Sequence, residues 1–201
     1  MMQTGFWWIL FSIGLYGVIH SVLASHTAKR WVEKRVGAEI FKRYYRLFFS
    51  LQAFFLFLPV LALTVLLPDV RIYRIPRPWV WLTLIIQIGA VYLLINSIFQ
   101  TGALRFTGFA QAFNVKEAER SLPLVERGLY RFVRHPIYTC MFVITWLFPF
   151  MSWNVLAIAL GVTAYNIIGA HLEERKLLLE FGDDYKVYRR KTPFMIPGLK
   201  F

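Results

Sequence analysis

Arg134, His135 and Tyr138 stand at the front of a 34-residue stretch, Ile137 to Ala170, that contains no Asp, Glu, Lys, Arg or His; His171, Glu173 and Glu174 stand just behind it. Together these side chains can hold an anion, pair with an ammonium group, move a proton and lay an aromatic face against a cation. As one helix the stretch would be about 51 Å long, against a hydrocarbon core of about 30 Å. Pro149 to Asn154 offers a turn near its middle. The stretch therefore reads as a hairpin of two short membrane helices. That hairpin returns Glu173 to the membrane face where His135 lies, although 38 residues separate the two.

Each motif has a structural reading beside a chemical one. Pro136 suits the first turn of a helix, where its missing N–H costs nothing. Unpaired amides and Arg134 would then form a positive pole fit for a carboxylate or phosphate. The same residues would also serve as a helix cap with Arg134 snorkelling to the surface. A carboxylate at a membrane boundary is costly unless paired, and marks a functional site where it faces the bundle interior. Adjacent glutamates point about 100° apart on a helix, so one of Glu173 and Glu174 can face a site while the other pairs with Lys or Arg. Of the four histidines, His20 stands out because it lies inside the first apolar run. With no H-E-x-x-H and only one cysteine, a metal centre is not expected. Cys140, in apolar surroundings, reads as an inert thiol. No G-x-G-x-x-G, P-loop or G-x-S-x-G is present.

The elements that must position these residues follow from composition. Hydrophobic residues make up 58% of 201, and mean hydropathy is +0.52. This is the composition of an all-α integral-membrane protein with one domain, residues 1–201. Five transmembrane helices are expected, at about 6–25, 47–68, 79–99, 134–150 and 153–170. The net charge of +12 does not argue for a nucleic-acid partner, because 20 of the 23 Lys and Arg residues fall in 26–46, 100–136 and 171–201. That asymmetry places these segments in the cytosol and the N-terminus outside. Trp7, Trp8, Trp79, Trp81 and Trp153 fall at the expected outer interface. The basic surplus would also attract anionic lipid heads. Met1 to Gly5 carries no basic residue, so a cleaved signal peptide is not expected.

Within this frame, Gly14, Gly17, Ser21, Ala24 and Ala28 form a small-residue stripe suited to close helix approach. Pro59 would kink the second span. Residues 100–133, long and aromatic, read as a functional connection. Residues 173–190 read as an amphipathic helix at the cytosolic interface.

Taken in order, Leu124-Val125-Glu126-Arg127-Gly128-Leu129-Tyr130, Arg134-His135-Pro136-Ile137-Tyr138, Glu173-Glu174 and Phe181-Gly182-Asp183-Asp184-Tyr185-Lys186-Val187-Tyr188 resemble the isoprenylcysteine carboxyl methyltransferase superfamily of membrane enzymes. The match covers about the last 85 residues. His20-Ser21-Val22-Leu23-Ala24-Ser25 and Tyr44-Tyr45-Arg46-Leu47 look more like its bacterial branches, which include methanethiol S-methyltransferases and NnrU-type membrane proteins. The resemblance implies S-adenosylmethionine in a cytosol-facing pocket over the C-terminal helical hairpin, in a bacterial inner membrane. By position, Leu122, Leu124 and Val125 would line the cofactor and Tyr130 would sit against it. Arg134, His135, Pro136, Tyr138, Glu173 and Glu174 would complete the site, with Glu173 on the cofactor's amino group. The acceptor would be small or lipophilic, with a thiol favoured and His171 or His20 as candidate base or acceptor contact. Two departures stand out. Cys140 replaces a common Gly, and Gly169 stands where prenylcysteine enzymes carry an Arg assigned to their substrate. A membrane NADPH-dependent reductase of related architecture, and a non-catalytic NnrU-like component, are the alternative readings.

Overall fold

The computed structural model describes residues 4–114 and 123–199. Helices α1 (Phe6–Ala24), α3 (Ala38–Leu66), α4 (Trp79–Gln100) and α8 (Trp153–Phe181) are long and apolar enough to cross a membrane. A shorter apolar helix, α7 (Pro136–Trp146), is the counterpart of the expected fourth span. Its 11 residues reach about 16 Å, half a hydrocarbon core. The expected 134–150 span is thus a short helix followed by a turn, and the expected five spans stand as four long helices and this one.

Two strands gather the ends of these helices. β1 (Arg71–Arg74) pairs antiparallel with β2 (Phe150–Ser152), Arg71 opposite Ser152 and Arg74 opposite Phe150. The Ile75 amide donates to the Pro149 carbonyl (2.9 Å) and the Trp153 amide to the Val70 carbonyl (3.1 Å). The turn after α7 therefore lies at the same end of the bundle as the α3–α4 connection. Composition gives no sign of this ribbon, because its strands are only four and three residues long. Trp7, Trp8, Trp79 and Trp81 are exposed near this end. Asn154, fully buried, points its amide at the carbonyls of Thr64, Leu67 and Pro68 (3.3–3.4 Å), and so closes the C-terminus of α3.

The opposite end is polar. α3 and α8, at 29 residues each, are about 44 Å long and project past any hydrocarbon core. α3 projects with Glu39, Lys42, Arg43 and Arg46, and α8 with His171 to Glu180. Here α2 (His26–Val36), α5 (Ala103–Thr107) and α6 (Phe109–Phe113) pack against α3. Tyr45 donates to the Leu23 carbonyl (2.6 Å), Arg46 Nε to Phe106 (2.8 Å) and Arg43 Nε to Ala112 (2.7 Å). Gly108 makes this possible. Its φ is +90°, and a Cβ there would lie 2.3 Å from the Leu47 amide nitrogen, which no side chain could accommodate.

Three expectations need correction. The amphipathic helix expected at 173–190 is not one element. α8 runs unbroken from the membrane to Phe181, Gly182 takes a positive φ, and α9 (Asp183–Lys191) follows. The small-residue stripe is only partly used: a Cβ on Gly14 would meet nothing within 4 Å, and Gly17 faces Tyr165 at 3.3 Å. The close approach of α1 and α8 occurs instead at Gly161, where a Cβ would lie 2.6 Å from Ile13. Around that contact Ile9, Ile13, Val60 and Ala157 form the apolar core. Finally, Ala28 belongs to α2, because Ser25 breaks the helix and caps the next one through its hydroxyl.

Candidate functional site

α7 begins at the polar end with Pro136 in its first turn. The residues before it are buried, and the segment after α9 holds them there. The Arg134 amide donates to the Pro193 carbonyl (2.8 Å) and the His135 amide to Phe194 (3.2 Å). Thr139 Oγ1 reaches the Met195 carbonyl at 2.7 Å. Residues 192–195 thus lie as a strap across the start of α7. The positive pole expected there from free amides is not available at Arg134 and His135, since the strap's carbonyls satisfy both.

Arg134 does not snorkel. Its side chain is buried, with Nε 2.6 Å from Glu174 Oε1 and one terminal nitrogen on the carbonyls of Arg189 (3.0 Å) and Thr192 (2.5 Å). Arg189 Nε approaches the other Glu174 oxygen at 3.5 Å. Arg134 and Glu174 therefore form an internal strut between α7, α8 and α9, and neither is exposed. His135 Nε2 lies 3.4 Å from Glu174 Oε1, and His135 Nδ1 lies 3.7 Å from Glu173 Oε2. The imidazole is fixed between the two carboxylates, stacked on Tyr138 (5.6 Å) and met edge-on by Phe194 (5.0 Å).

Glu173 is the one left open. Its side chain is 49% exposed, and it accepts from the Tyr138 hydroxyl at 3.1 Å. The two glutamates thus split as their 100° separation requires: Glu174 turns inward to the strut, Glu173 outward.

At the same end a cavity of about 640 Å³ is lined by Phe99, Gln100, Thr101 and Gly102 of the α4 end and by Pro123 to Arg127, Leu124 and Val125 included; its Thr101 reaches Tyr130, which in turn feels the Glu173 charge. Leu122 lies outside the described residues. The 3₁₀ turn Gly128–Arg131 carries Tyr130 between cavity and carboxylate. Burial first, then the nearby Glu173 charge, push the Tyr130 phenol up, opposed by a hydrogen bond with Thr101. The Tyr130 carbonyl accepts from the Tyr188 hydroxyl at 2.6 Å, so α9 braces this turn too. Gln100 Oε1, at the cavity wall, is buried without a hydrogen-bond partner among the described residues.

The two candidate histidines separate. His171 Nδ1 donates to the Ile167 carbonyl (2.8 Å). Its ring is exposed and meets Phe194 at 4.9 Å, about 200° round α8 from Gly169. His20 sits among Tyr16, Phe49 and Tyr165. Cys140 is buried and unpaired. No group of three metal-ligating side chains occurs among the described residues. Sequence reading missed Arg189, the 192–195 strap and Gln100. Their roles are contacts over tens of residues, and the only local sign is the break at Pro193.

Fold and site together describe a helical membrane protein with a buried ion-pair strut and an open carboxylate beside a cavity at its polar end. Residues 84–184 match the family described as phospholipid methyltransferase, and the chain belongs to that family of membrane methyltransferases. The methanethiol S-methyltransferase of Mycobacterium tuberculosis is 32% identical over 190 residues, covering 92% of this chain and 75% of that protein. Methanethiol S-methyltransferase 1 of Bradyrhizobium diazoefficiens is 32% identical, covering 94% of this chain and 65% of that protein. The Crocosphaera subtropica methanethiol S-methyltransferase is 29% identical, at 94% and 74%. No solved structure matches significantly.

Proposed function

We propose that this protein transfers a methyl group from S-adenosylmethionine to a small thiol at the polar end of its helix bundle. The observation that carries the reading is the half-exposed Glu173 carboxylate, linked through Tyr130 and Thr101 to a cavity and backed by a neutralised Arg134–Glu174 strut. The residues fit the cofactor. Glu173 would hold its ammonium group, with Tyr138 and His135 fixing the carboxylate. Leu124, Val125 and Gln100 Oε1, without a hydrogen-bond partner among the described residues, suit an adenosyl group with its apolar faces and donor amine. When bound, S-adenosylmethionine supplies an electrophilic methyl on a positively charged sulfur.

The protein's part is alignment and exclusion of water. Tyr130 and Tyr138 offer aromatic faces to a cation. The acceptor thiol loses its proton to water at the open end. Its sulfur would take the methyl that the bound cofactor supplies, the carbon's bond to the departing sulfur breaking as the new one forms and a neutral thioether remaining. Gly169 argues against a carboxylate acceptor, because no guanidinium stands there to pair with it. The names of the relatives support the thiol. The site would face the cytosol of a bacterial cell, on the basic side of the membrane.

The test is methyl transfer from labelled S-adenosylmethionine to methanethiol, run beside a farnesylcysteine analogue, with S-adenosylhomocysteine and NADPH binding measured on the same protein. Thiol turnover with binding of S-adenosylhomocysteine is expected. Carboxyl methylation without thiol turnover, or binding of NADPH alone, would overturn the reading.

A further inference from the structure

Between α1, α3 and α8 lies a second group of polar and aromatic side chains, each half-buried. The His20 ring sits 4.3 Å from Phe49, 5.7 Å from Tyr16 and 6.1 Å from Tyr165. Tyr16 and Tyr165 meet at 5.6 Å. Gln52 fixes the imidazole's protonation pattern. Its Nε2 lies 3.0 Å from the Phe49 carbonyl oxygen, so that atom must be the amide nitrogen; its other hydrogen points to His20 Nδ1 at 3.1 Å. Nδ1 is therefore an acceptor, and the neutral ring carries its proton on Nε2. At that nitrogen His20 is a hydrogen-bond donor and not a base.

The cluster is continuous with the site. On α8, Tyr165, Gly169 and Glu173 recur every four residues and so share one face. A Cβ on Gly169 would meet only the Tyr138 hydroxyl, at 3.7 Å, and that hydroxyl donates to Glu173. From Glu173 a line of side chains runs past Tyr138 and Gly169 to Tyr165 and His20, about 12 Å along the helix. Beyond it the bundle interior becomes apolar, at Ile13, Ile9 and Val60. Polar side chains at this depth in a span mark substrate pathways more often than structural supports.

We propose that Tyr16, His20, Phe49 and Tyr165 form the acceptor subsite, entered past Gly169, and that it holds a small thiol as its thiolate, the proton having gone to water at the open end. This rests on the methyl-transfer reading above. The rings give sulfur the edge and face contacts that it favours. The His20 Nε2–H stabilises the negative charge the sulfur carries once its proton has left. Gly169 sets the width of the entrance, so it decides how large an acceptor is admitted.

The experiment measures methanethiol KM and S-adenosylhomocysteine Kd separately on the purified full chain. His20→Leu should raise the thiol KM about tenfold, the equivalent of one hydrogen bond to a charged sulfur. His20→Gln, which keeps an N–H donor, should recover most of it. In both variants the S-adenosylhomocysteine Kd should stay within about twofold of the wild type. Gly169→Leu should lose turnover of butanethiol far more than of methanethiol, and tests the subsite even if His20→Leu does not fold. An unchanged thiol KM in His20→Leu, equal loss in His20→Leu and His20→Gln, or a cofactor Kd that weakens in step with KM would overturn the subsite while leaving the activity intact. A wild-type protein that binds S-adenosylhomocysteine but methylates no thiol would instead overturn the functional reading, and the subsite with it.

Discussion

Replacing Glu174 and replacing Glu173 should fail in different ways, although the two residues are neighbours. Glu174 is 7% exposed and Arg134 is 5% exposed, at 2.6 Å. Glu174→Ala leaves the Arg134 guanidinium buried, with the Arg189 and Thr192 carbonyls and the Phe194 ring but no counter-charge beside it among the described residues. Breaking one side of a buried pair costs about 3–5 kcal/mol. The Arg189 contact, half-exposed on the Arg side, adds less than about 1 kcal/mol. For a chain of this size 1 kcal/mol corresponds to roughly 2–4 °C, so Tm should fall by about 6–20 °C. Glu173→Gln removes no such partner. Its carboxylate is 49% exposed, accepts the Tyr138 hydroxyl bond and has a longer His135 approach, so Tm should change by less than about 3 °C. Its S-adenosylhomocysteine affinity should fall at least about 100-fold, as the cofactor ammonium loses its charged partner. Thermal unfolding and calorimetric titration of both variants in one detergent provide the comparison. A Glu174→Ala protein as stable as wild type, or a Glu173→Gln protein with full affinity, would refute the division of labour drawn from the geometry.

Two further outcomes are expected. Reporter fusions at Tyr73, beside the β1–β2 ribbon, and at the C-terminus should give opposite signals, the latter cytosolic, because 20 of the 23 Lys and Arg residues fall in the segments expected in the cytosol; equal signals would break the assignment of the two ends. Asn154→Leu should lower stability by about 1–3 kcal/mol, since the carbonyls of Thr64 and Leu67 lose the buried amide that faces them, while the cofactor Kd, set at the other end of the bundle, stays unchanged. A matching loss of affinity would show that the two ends are coupled.

Much of this protein was legible in the chain itself. Hydropathy and charge asymmetry are sums over local residues, so the four long helices, the turn near Pro149 and the polar end follow from composition along the sequence. The motif Arg134-His135-Pro136, with Glu173-Glu174 after a long uncharged stretch, was enough to locate the candidate site and to point to its family. The 100° step between adjacent helical residues even required the two glutamates to diverge. Which one turned inward was not decided locally. That depends on the rotation of α8, which is set by Gly161 against Ile13 in the membrane and by Arg134 and Arg189 outside it. The same holds for Arg134, which reads as a surface cation in sequence and becomes an internal strut because carbonyls from Arg189 and Thr192, 55 and 58 residues away, close over it. The strap's carbonyls likewise satisfy amides that the sequence leaves open. His20 shows the limit most plainly. Its depth in the first span is a sequence fact, but the placement of its proton depends on one amide nitrogen of Gln52, 32 residues on, and on the carbonyl that fixes that nitrogen. Local forces set the elements and their ends; the sharing of hydrogen-bond partners, a tertiary matter, decided which side chains remain open to do chemistry.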